Sequence, residues 1–213
     1  MEFAGIKIDI AELDNFGSNL NSRIKVLEKD IYGLADEEFN INSPKQLGVI
    51  LFEKMNLPYY KKSKTGYSTD ISVLEQLVDF HPIITKIIEY RSLTKLFSTY
   101  FEGIKTALTL KNDGRVHTIY KQTVAQTGRL SSIEPNLQNI PIKTDDGKEL
   151  RKIFISDEAC KLYSCDYSQI ELRVLAHMAN VNHLIDAFRS NEDIHTHTAK
   201  LIFHKEEISY NER

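Results

Sequence analysis

Proline and glycine are scarce in this sequence, 5 and 9 among 213 residues. With 41% hydrophobic and 27% charged residues, that scarcity excludes a disordered chain and leaves enough apolar matter for a sizeable core. Cysteine is scarcer still. Cys160 and Cys165 flank an apolar run and read as reduced packing residues rather than a disulfide framework. A strong excess of one charge is missing too. The formal net charge is −3, so any nucleic-acid contact must come from local patches. No apolar run approaches the ~20 residues of a membrane helix. The opening MEFAGIKIDIAELD carries Glu2 and Asp9 and does not read as a secretory signal. Internal repeats and low-complexity tracts are absent. These absences point to an intracellular chain of one large or two small domains.

What is present begins with helices. Leu13, Phe16, Leu20, Ile24, Leu27, Ile31 and Leu34 recur at spacings of three and four, which predicts a long amphipathic helix over 11–38. INSPKQLGVILFEKMN opens a second, with Ser43 as N-cap, Pro44 at the first helical position and Gln46 completing a capping box. LPYYKKSKTGYSTD reads as an exposed basic loop. Asp70 opens a short helix through Leu77, and a longer pattern runs from about Ile83 to Ile104. After KNDGR the texture changes. Val116, Thr118 and Tyr120 alternate as in a strand, and TVAQTGRLSSIEPNLQNIPIKTDDGKE reads as a long ordered loop, often a functional feature. RKIFIS and KLYSCDY read as strands. Helices are expected at 168–179, 182–189 and 193–203. Nothing in YNER closes the last helix, so a truncated chain is expected.

Taken residue by residue, the chemistry-bearing groups allow plain readings. Asp166 ends an expected strand, where it could hold a divalent ion through hard oxygen ligands, or simply cap the next helix. Ser168 and Glu171 form S-x-x-E, and residues alone favour a capping box there. Asn136, Gln138, Asn139 and Arg129 could follow the acceptors of a DNA minor groove, or satisfy their own loop. Arg91 and Lys95 share a helix face with Ser98 nearby, as a phosphate contact would need. Lys61, Lys62, Lys64, Lys105, Lys111 and Arg115 add local positive charge, and a solvated face is the plain alternative. SKTG lacks the rest of a phosphate loop. His195 and His197 point about 200° apart on a helix, which disfavours zinc.

The joint order of these runs is more specific than any one of them. TVAQTGRLSSIEPNLQNIP, then LYSCDYSQIELRVLAH, then DIHTHTA closely resembles the polymerase domain of family A DNA polymerases, the bacterial DNA polymerase I group. EFNINSPKQLGVILFEKMNLP, KTGYSTD and YRSLTKLFSTYFEGI resemble that family's thumb, so the likeness covers essentially the whole chain. It implies a helix-rich α+β fold, part of a right hand. Residues 1–9 would pack on the palm, 10–110 form the thumb, 111–178 part of the palm, and 179–213 the truncated start of the fingers. It implies a DNA-directed DNA polymerase fragment acting in replication or repair, adding dNTPs to a primer 3′-hydroxyl on primer-template DNA. Further implications are no membrane partner, a monomeric state and a cytoplasmic, nucleoid-associated site of work.

The residue roles implied are these. Asp166 matches the first of two palm aspartates that hold two Mg²⁺ ions, with the Tyr167 carbonyl as a further ligand. Glu171 matches a steric gate against ribose, which displaces the capping reading and favours dNTPs over the ribonucleotides of the related single-subunit RNA polymerases. Gln169, His195 and Arg213 match nucleotide-binding positions. Arg91, Lys95, Lys62 and Lys64 match thumb contacts to duplex. Arg129 matches the arginine at the primer-terminal minor groove, and Asn136, Gln138, Asn139 and Arg173 match residues along duplex and template. Lys121 stands where a small polar residue is usual, and Cys165 where Ala is usual. The family's second aspartate, in a His-Asp-Glu run, has no match within these 213 residues, nor does its nucleotide-binding finger helix. The chain alone is therefore expected to be inactive, and the rival reading is a non-catalytic duplex-DNA-binding module.

Overall fold

The structure, a computed structural model, describes residues 1–58, 62–63, 66–190, 193–205 and 207–209. The chain forms two compact units, Met1–Leu162 and Tyr163–Arg213. Most of the core belongs to the first.

That core starts from helix α1, Ile10–Ala35, which buries Leu13, Phe16, Leu20, Ile24, Leu27 and Ile31. The expected periodicity is met, with Leu34 only partly buried. Asp9 caps α1 by accepting from the Glu12 amide at 3.1 Å, and Asp36 ends it in the left-handed region, φ 55°. Helix α2 is Pro44–Gly48 and continues as a π-helical turn over Val49–Lys54. Ser43 is its N-cap, as expected, accepting from the Gln46 amide. The capping box is not formed in full: Gln46 Oε1 accepts from the Asn40 amide at 2.7 Å, because the Ser43 amide already donates to the Asn40 carbonyl. Strands β2, Lys62–Ser63, and β3, Gly66–Tyr67, pair as a short ribbon within the expected loop. Helix α3 is Ile71–Glu75.

One long helical run then carries α4, Pro82–Leu96, a π-helical stretch Phe97–Glu102, and α5, Gly103–Lys111. Ile83, Ile84, Ile87 and Leu93 of α4 are buried, and α1 and α4 form the main helix pair. Gly17 of α1 meets the Phe101 ring so closely that a Cβ there would collide with it. Gly17→Val should therefore destabilise the first unit by about 1–3 kcal/mol through overpacking. Thermal unfolding checks this, and a raised midpoint would refute it.

The N-terminal strand β1, Ile6–Ile8, lies between β4, Arg115–Val116, and β7, Phe154–Ile155, antiparallel to both. Lys7 pairs with Arg115 on one side and Ile155 on the other. Strands β5, Ile119–Lys121, and β6, Ser131–Ile133, form a separate pair.

Helix α6, Asp145–Lys152, falls partly inside the expected loop, whose DDG reads as a turn. Thr144 caps it by accepting from the Gly147 amide at 3.1 Å. Asp145 and Asp146 sit in its first turn and Arg151 and Lys152 in its last, which suits the helix dipole. Gly147 is required because a Cβ would stand 2.6 Å from the Pro141 carbonyl. Arg23 of α1 reaches Asp146 at 2.5 Å and Glu89 of α4 at 3.6 Å. The hydrogen bond that it donates to Asp146, opposed by partial burial, holds its guanidinium above the usual arginine value.

Among its described residues the second unit forms three helices: α7, Ile170–Met178; α8, Asn182–Arg189; and α9, Ile194–Phe203. Among the described residues it buries Ala176, Ala187, Ile194 and Ala199. Two expectations fail at the junction. Residues 161–167 form no strand, and none of the strands among the described residues pairs with them. A strand exists only by pairing, so an apolar alternation without a neighbour stays irregular. Cys160 and Cys165 are free but exposed, not packed, since the strand that would have buried them is not formed. No helix among the described residues is long and apolar enough to cross a membrane.

Candidate nucleic-acid and nucleotide site

In the first unit the loop 130–139 is held by a dense set of hydrogen bonds. Thr118 Oγ1 lies 2.6 Å from Ser132 Oγ and 2.8 Å from the carbonyls of Ile133 and Pro135. Both hydroxyls are buried. The Leu137 amide donates to Ser132 Oγ at 3.1 Å. Gln138 uses both ends of its amide inside the loop: Oε1 accepts from the Ser132 amide at 3.0 Å, and Nε2 donates to the Leu130 carbonyl at 3.1 Å. Asn136 Oδ1 accepts from the Gln138 amide at 3.0 Å. The plain reading of Asn136 and Gln138, that they satisfy their own loop, thus describes their hydrogen bonds in this structure. Asn139 is exposed, and its carbonyl accepts from the Tyr100 hydroxyl. Arg129 is exposed beside Gly128, whose φ of 76° turns the chain.

Of the expected helix contacts, Arg91 is half-buried and donates to the Thr69 carbonyl at 2.5 Å and to Thr69 Oγ1 at 3.2 Å. Burial lowers its pKa, with Asp70 opposing. It fastens the 66–70 segment to α4 and lines a cleft of about 590 Å³ with Ser43, Lys45, Tyr67 and Ser68. Lys95 is exposed one turn on and makes no hydrogen bond or ion pair among the described residues. Lys105 and Arg115 are engaged, by Asp14 at 2.7 Å and by Asp157 respectively. Lys62 lies on β2. Lys64 and Arg213 lie outside the described residues.

In the second unit Asp166 and Tyr167 are exposed on the irregular segment. Gln169 is the N-cap of α7 in the left-handed region, φ 52°, with no side-chain cap hydrogen bond. Neither Asp166 nor Ser168 is therefore the cap that the plain readings required. Glu171 sits exposed in the first turn of α7. Arg173 donates to the Ser168 carbonyl at 2.9 Å and lies 4.4 Å over the Phe188 ring, which ties α7 to its own entry and to α8. His195 is exposed at the second position of α9. Asp193 caps α9, accepting from the Thr196 amide at 3.1 Å.

A metal here would find one carboxylate, Asp166, and the backbone carbonyl of Tyr167. No group of three or more His, Cys, Asp or Glu among the described residues could hold an ion. Mg²⁺ accepts one or two carboxylates with substrate phosphates completing its shell. The donors are of the right kind for one shared ion and too few for two.

The sequence profile of DNA polymerase family A matches residues 10–213. The chain belongs to that family. It is 51% identical over 216 residues to DNA polymerase I of Geobacillus stearothermophilus, a match that takes in all of this chain and 24% of that protein. It is 52% identical over 217 residues to DNA polymerase I of Bacillus caldotenax, covering 25% of it. The chain thus spans about a quarter of the length of the curated relatives it matches. Among solved structures, the POL domain of Pol1 from M. smegmatis, in complex with DNA primer-template and dNTP, has a TM-score of 0.88 at 38% identity. That likeness covers 99% of this chain and 38% of the other.

Sequence reasoning about this family A chain missed the groups that hold the 130–139 loop: Thr118, Ser132 and Tyr100. The available signal was Thr118 alternating with Val116 in the expected strand, which the structure divides into β4 and β5 with Thr118 between them; a buried hydroxyl must find partners.

Proposed function

We propose that this chain holds primer-template DNA and supplies one part of a DNA polymerase site. In the full reaction a primer 3′-oxygen bonds to the α-phosphorus of a dNTP and pyrophosphate leaves. The likeness to a polymerase domain solved with primer-template and dNTP carries the reading. Residues 10–110 act as thumb, 111–178 with 1–9 as palm, and 179 onward as the start of the fingers. Arg129, Asn139, Lys95 and the 61–69 segment face duplex. Arg91, Asn136 and Gln138 support those contacts from behind, because their donors are engaged within the protein. Gln169, Glu171 and His195 face the nucleotide, joined by Arg213, and Arg173 holds α7 among them. Asp166 and the Tyr167 carbonyl would hold a divalent ion, which supplies charge neutralisation at phosphoryl oxygens when bound. Such a protein works as a monomer on chromosomal DNA in the cytoplasm.

By itself the 213-residue chain does not extend a primer, since its donor set is too small for two ions. The experiment is a chimera in which these residues replace the matching segment of the Geobacillus stearothermophilus relative. The chimera extends a primer and the isolated chain does not. An inactive but folded chimera would overturn the polymerase reading, and would favour a duplex-binding module. In the same chimera, Glu171→Ala should raise ribonucleotide use relative to dNTPs on the order of 10–100-fold, the scale on which a pocket's shape sorts close analogues. Unchanged sugar selection in single-nucleotide kinetics would remove Glu171 from that role.

A further inference from the structure

We propose that Tyr100 is a positioning residue that sets the 136–139 loop for reading duplex DNA, an inference that rests on the function proposed above. Its hydroxyl donates to the Asn139 carbonyl, a bond between residues 39 apart that joins the long helix to the loop. The ring is 4% exposed, and burial raises the phenol pKa, so the group stays a donor across the working range. The helix is shaped to deliver it. Tyr100 lies within the π-helical stretch Phe97–Glu102, and π turns inside helices are uncommon and gather at functional sites. The wider turn changes which residues face the loop relative to an unbroken α-helix.

That turn is pinned from behind. The rings of Phe97 and Phe101 stand 4.9 Å apart, and Phe101 packs on Gly17 of α1. Lys105 Nζ lies 5.1 Å from the Phe101 ring centre while paired with Asp14 at 2.7 Å. From the other side, Thr118, just ahead of β5, bonds Ser132 of β6, which also accepts from the Leu137 amide, and Gln138 closes the loop on the Leu130 carbonyl. Tyr100 thus fixes the remaining end, at residue 139. Asn139 is exposed on a backbone held at both ends, which is how a side chain is presented to a groove without losing conformational entropy on binding.

Tyr100→Phe removes the hydroxyl and keeps the ring. The 213-residue chain is titrated into fluorescent primer-template, then into the same duplex with 3-deazaadenine near the primer end, which lacks a minor-groove acceptor. Wild-type protein should bind the analogue duplex more weakly. Y100F should lose about three- to tenfold in affinity for the natural duplex, the worth of one hydrogen bond, and its penalty for the analogue should vanish. Affinity lost with the analogue penalty intact would mean a merely structural role and would overturn the inference, as would wild-type behaviour on both duplexes. Amide exchange in the DNA-free chain gives a second readout. Residues 134–140 should exchange faster in Y100F while α1 keeps its protection, and unchanged exchange there would also overturn it. A wild-type chain that binds no duplex would instead defeat the functional reading, and the exchange result would still report on the anchor.

Discussion

In the Geobacillus chimera, Asp166→Asn is expected to reduce primer extension about 1000-fold or more, with duplex affinity changed less than about threefold. Asn keeps the shape and one acceptor oxygen but loses the charge that a divalent ion requires. Metal stabilisation of phosphoryl charge is worth several kcal/mol, and each 1.36 kcal/mol is tenfold in rate. The binding surfaces proposed in the first unit do not involve this carboxylate, so affinity is spared. Single-turnover extension and anisotropy binding on one preparation separate the two. Extension within about tenfold of the parent would remove Asp166 from the chemistry.

The second large effect falls on stability. Ile87→Ala opens a hole on the buried face of α4, where Ile87 is 0% exposed. Truncations of this kind cost about 2–5 kcal/mol. For a chain of this length that lowers the midpoint by roughly 5–15 °C. Met178→Ala on α7 is the control, because Met178 is 80% exposed and its truncation should move the midpoint little. Scanning calorimetry of both variants decides the matter. Equal shifts would mean that the α1–α4 core does not dominate the folding of the chain.

The parts of the fold legible in sequence were those fixed by local rules. The α1 stripe from Leu13 to Ile31 and the cap at Ser43 depend on spacing and on a side-chain oxygen near free amides, and both were readable; the cap at Asp9, which obeys the same rule, was not read. Helix α6 was hidden because Asp-Asp-Gly is ambiguous: it serves a turn, yet beside Thr144 it serves a helix start. Its glycine is explained only by the nearby Pro141 carbonyl, a non-local fact. The strand expected at Leu162–Asp166 failed for the opposite reason. Its alternation was clear, but pairing depends on a neighbour that no local pattern can supply.

The candidate site divides along the same line. Asp166, Glu171 and Arg129 are candidates on the strength of long ordered motifs. The hydrogen-bond partners of Arg91 and Gln138 were not legible. Whether a polar side chain faces solvent or its own backbone is decided by Thr69, Leu130 and Ser132, up to 22 residues away.

The most direct test of the account is one titration. The 213-residue chain is added to fluorescent primer-template over a salt series, and then Mg²⁺ and dNTPs are supplied and primer length is read. Binding should weaken with salt, with a log–log slope of roughly −3 to −4 from about four phosphate contacts, and the primer should not grow. Growth of the primer, or no duplex binding at low salt, would contradict it.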